Sequence, residues 1–291
     1  FIKTIESSII QNWSLVAFSD YGTPVTLKYQ NVAQEIERIH ILLAKCGIKP
    51  DDKVALMGRN NSSWVTTYLA ILTYGAIVVP ILQDFKPNDT LHIVNHSESK
   101  LFFVTDVLYE TMDIDQMEYV EAVVSLTTRE PLSVKSTKFT AKDISVSVIE
   151  QLFQQKYPGG ITPEKIHYLK RDNSCTASIN YTSGTTGFSK GVVTRLNALA
   201  GNVKFCSEHG VIYRGSRQVV FLPLAHAFGC AFDFLTSFCV GAHAYFLGKT
   251  PSPRVLLAAF KEVKPMCIFT VPLILEKIYQ KQIFTDGKQT F

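Results

Sequence analysis

Apolar residues in the first hundred positions occur either at helical spacing or in short continuous runs. Val32, Ile36 and Ile39 follow one another at intervals of four and three residues, which places them on one face of a helix predicted over 31–45. Further predicted elements alternate around and after it, with helices over 64–73 and 88–95 and strands over 54–57, 76–80 and 101–105. A parallel α/β fold requires this alternation. The region is therefore predicted to be a first wound unit.

The pattern weakens between residues 106 and 173 and then resumes. The weak region predicts a strand over 120–126, a polar connection over 128–140 and a helix over 144–156. Beyond it the predicted elements are strands over 176–181, 218–221, 242–246 and 267–270, and helices over 197–208, 228–238, 254–263 and 272–281. A subdomain boundary is placed near Asp172. We predict an α/β fold with parallel sheets flanked by helices, in two wound subdomains at 1–172 and 173–291.

A run of hydroxyl side chains and glycines stands directly after the strand predicted over 176–181. It reads Tyr181-Thr182-Ser183-Gly184-Thr185-Thr186-Gly187-Phe188-Ser189-Lys190-Gly191. Glycines let backbone N–H groups turn towards a phosphate, hydroxyls donate to its oxygens, and a lysine adds a mobile positive charge. A plain surface turn would account for the glycines but not for the density of hydroxyls beside a lysine. The run therefore predicts a phosphate-binding loop.

This loop differs from the Walker A sequence of nucleoside triphosphatases, which would need glycine at Ser189 and a hydroxyl residue at Gly191. It instead resembles the phosphate loop of the adenylate-forming superfamily, which comprises acyl- and aryl-CoA synthetases, luciferases and peptide-synthetase adenylation domains. That loop reads Thr-Ser-Gly-Thr-Thr-Gly-x-Pro-Lys-Gly, so Ser189 stands in place of proline. Because proline stiffens a turn, serine is expected to loosen the loop without removing a phosphate ligand.

A second segment resembles the same superfamily. Phe221-Leu222-Pro223-Leu224-Ala225-His226-Ala227-Phe228-Gly229 matches its Leu-Pro-Leu-x-His pattern at the usual distance downstream. Other segments resemble bacterial long-chain acyl-CoA synthetases or fit the opening of their fold, namely 52–56, 60–64, 74–80, 241–242, 261–265 and 271–279. The resemblance spans nearly the whole chain. It implies the amino-terminal part of the large domain of an adenylate-forming enzyme.

The resemblance implies ATP-dependent activation of a long-chain fatty acid to an acyl-adenylate and then to acyl-CoA, with release of pyrophosphate and AMP. ATP, Mg²⁺ and coenzyme A are the implied cofactors and co-substrates. The implied ATP-binding residues are Thr182, Ser183, Gly184, Thr185, Thr186, Gly187 and Lys190. Thr186 is the implied magnesium ligand. Lys190, Thr186 and His226 are the implied catalytic residues, with Lys190 stabilising charge on the leaving pyrophosphate.

His226 has two interpretations. A single histidine near apolar residues is more often a hydrogen-bonded core residue than a catalyst. The resemblance places it beside the substrate carboxylate, where its ring orients the acid. We prefer this role to that of general base, because a carboxylate is already ionised at neutral pH. The helix that follows, including 228–234, either borders the acyl chain, as in related enzymes, or packs in the core.

Composition and charge are typical of a soluble enzyme. The chain has 291 residues, of which 46% are hydrophobic and 19% charged, and its formal net charge of +4 is spread along the sequence. No basic cluster of the kind that nucleic acid requires occurs, so the expected partners are the small-molecule substrates: fatty acid, ATP and coenzyme A. The six cysteines form no CxxC pair and stand mostly among apolar residues, which favours free thiols and a cytoplasmic location.

A membrane span is not expected. The longest apolar stretch, 225–247, is interrupted by His226, Asp233, Gly241 and His243. The sequence leaves open whether the protein contacts a membrane surface and whether it forms a homodimer. The pair His92 and His96 lies at helical spacing but lacks the glutamate of HExxH, so an exposed helix face is preferred to a zinc site.

Arg59 and Asn60 are interpreted as satisfying backbone groups at a helix start. The Tyr-Gly-x-Thr-Glu and Thr-Gly-Asp segments of the superfamily and its carboxyl-terminal lysine domain do not occur, so we expect an amino-terminal fragment of a longer ligase that is nearly inactive alone. The alternatives are an aryl-CoA ligase, a peptide-synthetase adenylation domain, a non-catalytic ATP- or acyl-binding module, or a phosphotransferase.

Overall fold

Helices and strands alternate along the part of the chain that the structure describes. The computed structural model describes residues 1–182, 189–248 and 251–286. The helices are α1 (Ile2–Gln11), α2 (Tyr29–Lys45), α3 (Ser62–Tyr74), α4 (Pro87–His96), α5 (Asp106–Tyr109), α6 (Val146–Lys156), α7 (Leu196–Glu208), α8 (Ser237–Val240), α9 (Pro253–Val263) and α10 (Pro272–Asp286). The strands are β1 (Val16–Asp20), β2 (Thr26–Lys28), β3 (Lys53–Met57), β4 (Ile77–Ile81), β5 (Leu101–Val104), β6 (Ala122–Ser125), β7 (Pro131–Val134), β8 (Thr176–Thr182), β9 (Lys190–Arg195), β10 (Arg217–Val220) and β11 (His243–Phe246). Short 3-10 helices span Ile114–Gln116, Lys142–Ile144 and Pro163–Lys165, and a π-helix spans Gly229–Thr236.

The strands form two sheets. The larger sheet has seven strands in the order β7-β6-β5-β3-β4-β8-β9, and the smaller has four in the order β10-β11-β1-β2. The interior pairs are parallel, and the antiparallel pairs β6/β7, β8/β9 and β1/β2 stand at sheet margins. Parallel strands are buried on both faces and therefore consist of continuous apolar runs, as β4 and β5 do. The arrangement confirms the predicted α/β class with mostly parallel sheets flanked by helices.

Both sheets contain strands from either side of Asp172. β1 lies near the amino terminus but pairs in parallel with β11, with Phe18 opposite Ala244. In the larger sheet β8 pairs with β4, with Val78 opposite Ser178. The division into subdomains near Asp172 stays a prediction.

Helix α3 lies between the two sheets and contacts β3 and β4 of one and β1 of the other. It begins at the cap residue Asn61, whose side chain accepts the N–H of Trp64 at 2.8 Å, and it ends at Gly75 in the left-handed conformation. The carboxylate of Asp20, at the end of β1, accepts the N–H and the hydroxyl of Ser62 at 2.7 and 2.8 Å. The first turn of α3 is therefore bonded to the smaller sheet.

An aromatic cluster fills the space between α3 and the smaller sheet. The ring of Phe234 lies 6.1 Å from that of Phe18 on β1 and 5.7 Å from that of Tyr68 on α3. Phe238 stacks on Phe18 at 5.3 Å, and Trp64 stacks on Tyr68 at 5.5 Å. All five rings are buried, so this cluster joins α3 to the smaller sheet through one continuous apolar contact.

Three of the predicted regions differ from the structure, and the sequence pattern did not predict α1, β1 or β2. The polar connection predicted over 128–140 contains β7, a half-buried edge strand that begins at Pro131, where the missing N–H is tolerated. The strand predicted over 267–270 is reduced to one bridge between Cys267 and Gln218. The helix predicted over 228–238 is a π-helix over Gly229–Thr236 that continues into α8, and the Thr236 hydroxyl donates to the carbonyl of Ala231, five residues earlier, at 2.8 Å.

Asp233 is a fully buried acid in this π-helix. Its Oδ1 accepts from Nε2 of Gln218 at 2.7 Å, and Gln218 in turn accepts from the hydroxyl of Ser237. Oδ2 of Asp233 has no hydrogen-bond partner within residues 1–182, 189–248 and 251–286. Burial raises the pKa of Asp233 well above its ordinary value, and the hydrogen bond from Gln218 opposes only part of that rise. Burial therefore favours the neutral form of Asp233 in the folded protein.

Asp233→Asn should remove a pH-dependent loss of stability. Because the pKa of Asp233 is raised in the folded state, the folded state binds more protons than the unfolded state above about pH 4, and stability falls as the pH rises towards the folded-state pKa. Urea unfolding between pH 4.5 and 8 should show that the free energy of unfolding of the original protein falls relative to the variant, by at most about 1.4 kcal/mol per pH unit.

Asp143 offers the matched control. It is exposed, and hydrogen bonds from Thr140 lower the pKa of its carboxyl. Asp143→Asn should change the pH dependence of the free energy of unfolding only at acid pH. The change should have the opposite sign to that of Asp233→Asn, because the pKa of Asp143 is lowered in the folded state. Parallel stability curves for Asp233→Asn and the original protein across pH 4.5–8 would contradict the assignment of a neutral buried acid.

The remaining sequence-based expectations concern thiols and membranes. All six cysteines are free; Cys46, Cys206 and Cys230 are buried, and the other three are partly buried. No helix within the described ranges is both long and apolar enough to cross a membrane.

Candidate functional site

The carboxyl ends of four strands from both sheets open into one cleft. The residues that follow β3, β4, β10 and β11 line a cavity of about 240 Å³. Its walls include Arg59, Asn60, Asp84, Leu222, Leu224 and Leu247. β8 runs parallel to β4, so its carboxyl end lies at the same edge of the larger sheet. Ligands of open α/β sheets bind at this edge, which makes the cleft the candidate site.

The predicted phosphate loop connects β8 to β9. Thr182 is the last residue of β8, Lys190 is the first residue of β9, and the two stand opposite each other in the antiparallel pair. Both are exposed. Ser183, Gly184, Thr185, Thr186 and Gly187 lie outside the described residues, so their assignment as ATP and magnesium ligands stays a prediction. The structure therefore brings together the two ends of the predicted loop.

Gly191 allows a close approach at the base of this hairpin. It stands opposite Tyr181, and a Cβ at this position would lie 3.2 Å from Cζ of Tyr181 and 3.0 Å from Cγ2 of Ile179. The Tyr181 hydroxyl lies 2.7 Å from Nδ1 of His96, and the two rings meet edge to face. His96 is on the histidine face that the sequence analysis considered for zinc. Within the described ranges no group of three or more His, Cys, Asp or Glu side chains could hold a metal ion.

His226 stands on the turn that leads from β10 into the π-helix. Its side chain is exposed, its Nδ1 accepts the N–H of Phe228 at 3.3 Å, and its carbonyl accepts the N–H of Cys230 at 3.0 Å. When Nδ1 accepts a hydrogen bond, the neutral ring carries its proton on Nε2. His226 therefore presents a donor, which suits the orientation of a carboxylate better than proton abstraction.

The π-helix begins against the turn that carries His226. A Cβ at Gly229 would lie 2.6 Å from the carbonyl oxygen of Pro223, a contact that only glycine avoids without movement of the backbone. Because this backbone contact is close, the turn and the first residues of the π-helix pack as one unit.

Two asparagines contact the backbone of the same turn. Nδ2 of Asn60 donates to the Leu222 carbonyl at 2.7 Å and its Oδ1 accepts the N–H of Leu224 at 3.1 Å, whereas Nδ2 of Asn180 donates to the Ala225 carbonyl at 3.1 Å. The interpretation of Asn60 as a residue that satisfies the start of a helix is wrong, since Asn61 caps α3. No local sequence signal could have found these contacts, because each joins segments far apart in the chain.

Three phenylalanines form an aromatic group beside His226. Phe228 lies 4.9 Å from Phe232 and 6.3 Å from Phe269, measured between ring centroids, and Phe232 lies 5.7 Å from Phe269. Phe228 is 39% exposed, and the other two are partly exposed. A partly exposed aromatic surface next to a hydrogen-bond donor can bind a molecule with an apolar body and a polar end.

The fold and the cleft together define an α/β protein with a ligand site at the carboxyl ends of parallel strands. The chain belongs to the AMP-binding enzyme family, whose model matches residues 11–290. This match confirms the resemblance to the adenylate-forming superfamily.

Individual relatives match most of the chain. Long chain acyl-CoA synthetase 1 of Arabidopsis thaliana is 27% identical over 96% of this chain and 43% of its own length. 4-Hydroxybutyrate–CoA ligase 2 of Metallosphaera sedula is 26% identical over 87% of this chain and 44% of its own length. The inhibitor-bound N-terminal domain of FACL13 from Mycobacterium tuberculosis has the same fold, with a TM-score of 0.75 and 18% identity over 98% of this chain and 66% of that one. The chain thus spans about two-fifths of the length of the curated relatives it matches.

Proposed function

We propose that the full-length protein containing this chain activates a fatty acid in two steps. The carboxylate attacks the α-phosphorus of ATP, a carboxylate–phosphorus bond forms, and pyrophosphate leaves to give an acyl-adenylate. The thiol of coenzyme A then attacks the acyl carbon, and AMP leaves. The observation that carries the proposal is the link between β8, which leads into the phosphate loop, and the turn with His226, through Asn180 and Ala225.

The proposal gives a role to each candidate residue of the site. Thr182 and Lys190, which face each other across the hairpin, bind the β- and γ-phosphates, and Lys190 stabilises the negative charge that develops on pyrophosphate. Nε2–H of His226 donates to the substrate carboxylate and holds it in line for attack. Ser183, Gly184, Thr185 and Gly187 are proposed as further ATP ligands. Magnesium, with Thr186 as its proposed ligand, would add positive charge at the phosphates when bound.

The substrate class rests on the aromatic group. Phe228, Phe232 and Phe269 stand beside His226 and offer apolar surface to the chain of an acid whose carboxylate the histidine orients. Each buried methylene contributes about 0.8 kcal/mol, or roughly fourfold in affinity. The similarity to a long chain acyl-CoA synthetase supports the same choice. The similarity to 4-hydroxybutyrate–CoA ligase 2 favours a short hydroxy acid as the second candidate substrate.

The test is carboxylate-dependent exchange of radioactive pyrophosphate into ATP by the full-length gene product. We expect exchange with fatty acids, with kcat/KM for the acid rising about fourfold per added methylene until the binding surface is filled. AMP, and not ADP, should accumulate when coenzyme A is added. Exchange that prefers 4-hydroxybutyrate or an aromatic acid would replace the fatty acid by another substrate. ADP formation, or ATP binding without exchange with any acid, would overturn the proposal.

A further inference from the structure

The turn formed by residues 222–226 has no helical or strand hydrogen-bond ladder of its own, although it connects β10 to the π-helix. Within it the N–H of His226 donates to the Pro223 carbonyl at 3.1 Å, and side chains of other elements supply further contacts. Asn60 supplies two of them from the loop between β3 and α3, through its Nδ2 to the Leu222 carbonyl and its Oδ1 to the Leu224 N–H. Because the Asn60 amide binds groups at both ends of the span 222–224, it constrains the backbone that continues to His226.

Asn180 supplies the third contact from a different element, β8. It lies on β8, two residues before Thr182, and its Nδ2 donates to the Ala225 carbonyl at 3.1 Å. The orientation of this amide is set by the Ser178 hydroxyl, which donates to Asn180 Oδ1 at 2.9 Å, and by the Thr194 hydroxyl at 3.5 Å. The donor group of Asn180 therefore points to the turn, and β8 and the residue before His226 are directly bonded.

We infer that Asn60 and Asn180 are positioning residues that place His226 relative to the strand that enters the phosphate loop. This inference rests on the proposed function, in which His226 orients the carboxylate. Neither asparagine touches a reacting atom. Both act through the backbone of residues 222–225, whose next residue is His226, so a shift of this backbone moves the imidazole away from the carboxylate while the ATP phosphates keep their ligands.

We expect the two asparagine variants to lower kcat/KM for the carboxylate much more than they change the KM for ATP. Small misplacement of a group that orients a substrate reduces the rate by one to two orders of magnitude. Asn60→Ala removes two hydrogen bonds to the turn and should lower kcat/KM for the carboxylate about 10- to 30-fold. Asn180→Ala removes one and should lower it about fivefold. The KM for ATP should stay within about twofold in Asn60→Ala, because phosphate ligands are not affected.

Asn95 provides a matched control. On α4 its Nδ2 donates to the Gln116 carbonyl at 2.9 Å and its Oδ1 accepts the N–H of Glu118 at 3.0 Å. This is the same pattern of carbonyl and N–H, two residues apart, that Asn60 makes with the turn. Asn95 and its two partners are outside the walls of the cleft. Asn95→Ala thus loses the same kind of contact, but Asn95 itself makes no hydrogen bond to the turn that leads to His226.

The experiment measures pyrophosphate exchange and histidine spectra in the full-length protein. Original protein, Asn60→Ala, Asn180→Ala and Asn95→Ala are compared for KM and kcat with respect to the acid and to ATP. Nitrogen-15 spectra of the histidine rings, with His226 assigned by its loss in His226→Gln, report the position of the ring without any need for activity. We expect the His226 signals to shift in Asn60→Ala and Asn180→Ala and to stay in place in Asn95→Ala.

The outcomes separate the inference from the proposed function. Equal losses for acid and ATP, or equal effects of Asn60→Ala and Asn95→Ala, would show a general structural role and overturn the inference. Unmoved His226 signals in a folded Asn60→Ala protein would overturn it as well. If Asn60→Ala does not fold, Asn180→Ala alone decides by the same two measurements. No exchange by the original protein with any acid would overturn the proposed function, whereas the ring spectra would still decide whether the asparagines place His226.

Discussion

Lys190→Ala should lower carboxylate-dependent pyrophosphate exchange by the full-length protein about 10²- to 10³-fold, the loss typical of removing one preorganised donor to developing charge. Lys190 begins β9 directly opposite Thr182, so its backbone stands at the end of the predicted phosphate loop. The residue is exposed and β9 is an edge strand, and we therefore expect little change in stability. The effect should appear in kcat as well as in the KM for ATP, because the charge of pyrophosphate increases in the transition state.

Lys204 is the matched control for this prediction. It is an exposed lysine on α7 that pairs with Glu208 at 3.6 Å, and Lys204→Ala should leave exchange unchanged. Lys190→Arg keeps the charge but changes its geometry, so it should recover only part of the activity. Exchange by Lys190→Ala at the original rate would refute the assigned role of Lys190 and with it the interpretation of the loop.

Phe234→Ala should destabilise the protein by about 3–5 kcal/mol, which is a large part of the stability of a typical domain. Phe234 is fully buried and its ring contacts Phe18, Trp64 and Tyr68 at centroid distances of 6.1, 6.4 and 5.7 Å. Truncation leaves a cavity between α3 and the smaller sheet, where rings from several elements must move together to close it. The free energy of unfolding, measured with urea at pH 7, is the observable.

Phe205→Ala controls for the chemistry of the substitution. Phe205 is 55% exposed on α7 and stacks on His209, and its loss should cost no more than about 0.5 kcal/mol. Phe234→Leu should recover a part of the lost stability, because it refills most of the cavity with apolar atoms. A loss for Phe234→Ala as small as that for Phe205→Ala would show that the two sheets do not depend on the aromatic cluster for their association.

The sequence predicted regular elements best where the periodicity was long. Helix α2, with Val32, Ile36 and Ile39 on its buried face, extends only two residues before its predicted start. The short elements were predicted wrongly because their conformation depends on neighbouring strands that lie far away in the sequence. β7 exists because β6 offers it an edge, and residues 267–270 form no strand because only Cys267 meets β10.

The candidate site also has parts that the sequence predicts and parts that it does not. The phosphate loop and the turn with His226 could be predicted because each is a local run of residues that resembles a family motif, and the roles of their residues stay predictions. The contributions of Asn60 and Asn180 could not be predicted, because a single asparagine forms no recognisable motif until the backbone that it contacts is known. Asp233 was noted only as an interruption of an apolar stretch, whereas its neutral state follows from burial beside Gln218.

The sequence by itself determined the α/β class and the membership of a family and predicted the phosphate loop, since these depend on periodicity and on residues that are neighbours in the chain. The tertiary structure alone decided that β1 pairs with β11, that α3 is held between two sheets, and that Asn60 and Asn180 bind the same turn. The contacts of β1 with β11 and of the two asparagines with the turn join residues separated by 45 to more than 200 positions. Their energy depends on the distance and orientation of side chains in space, which residue order does not specify.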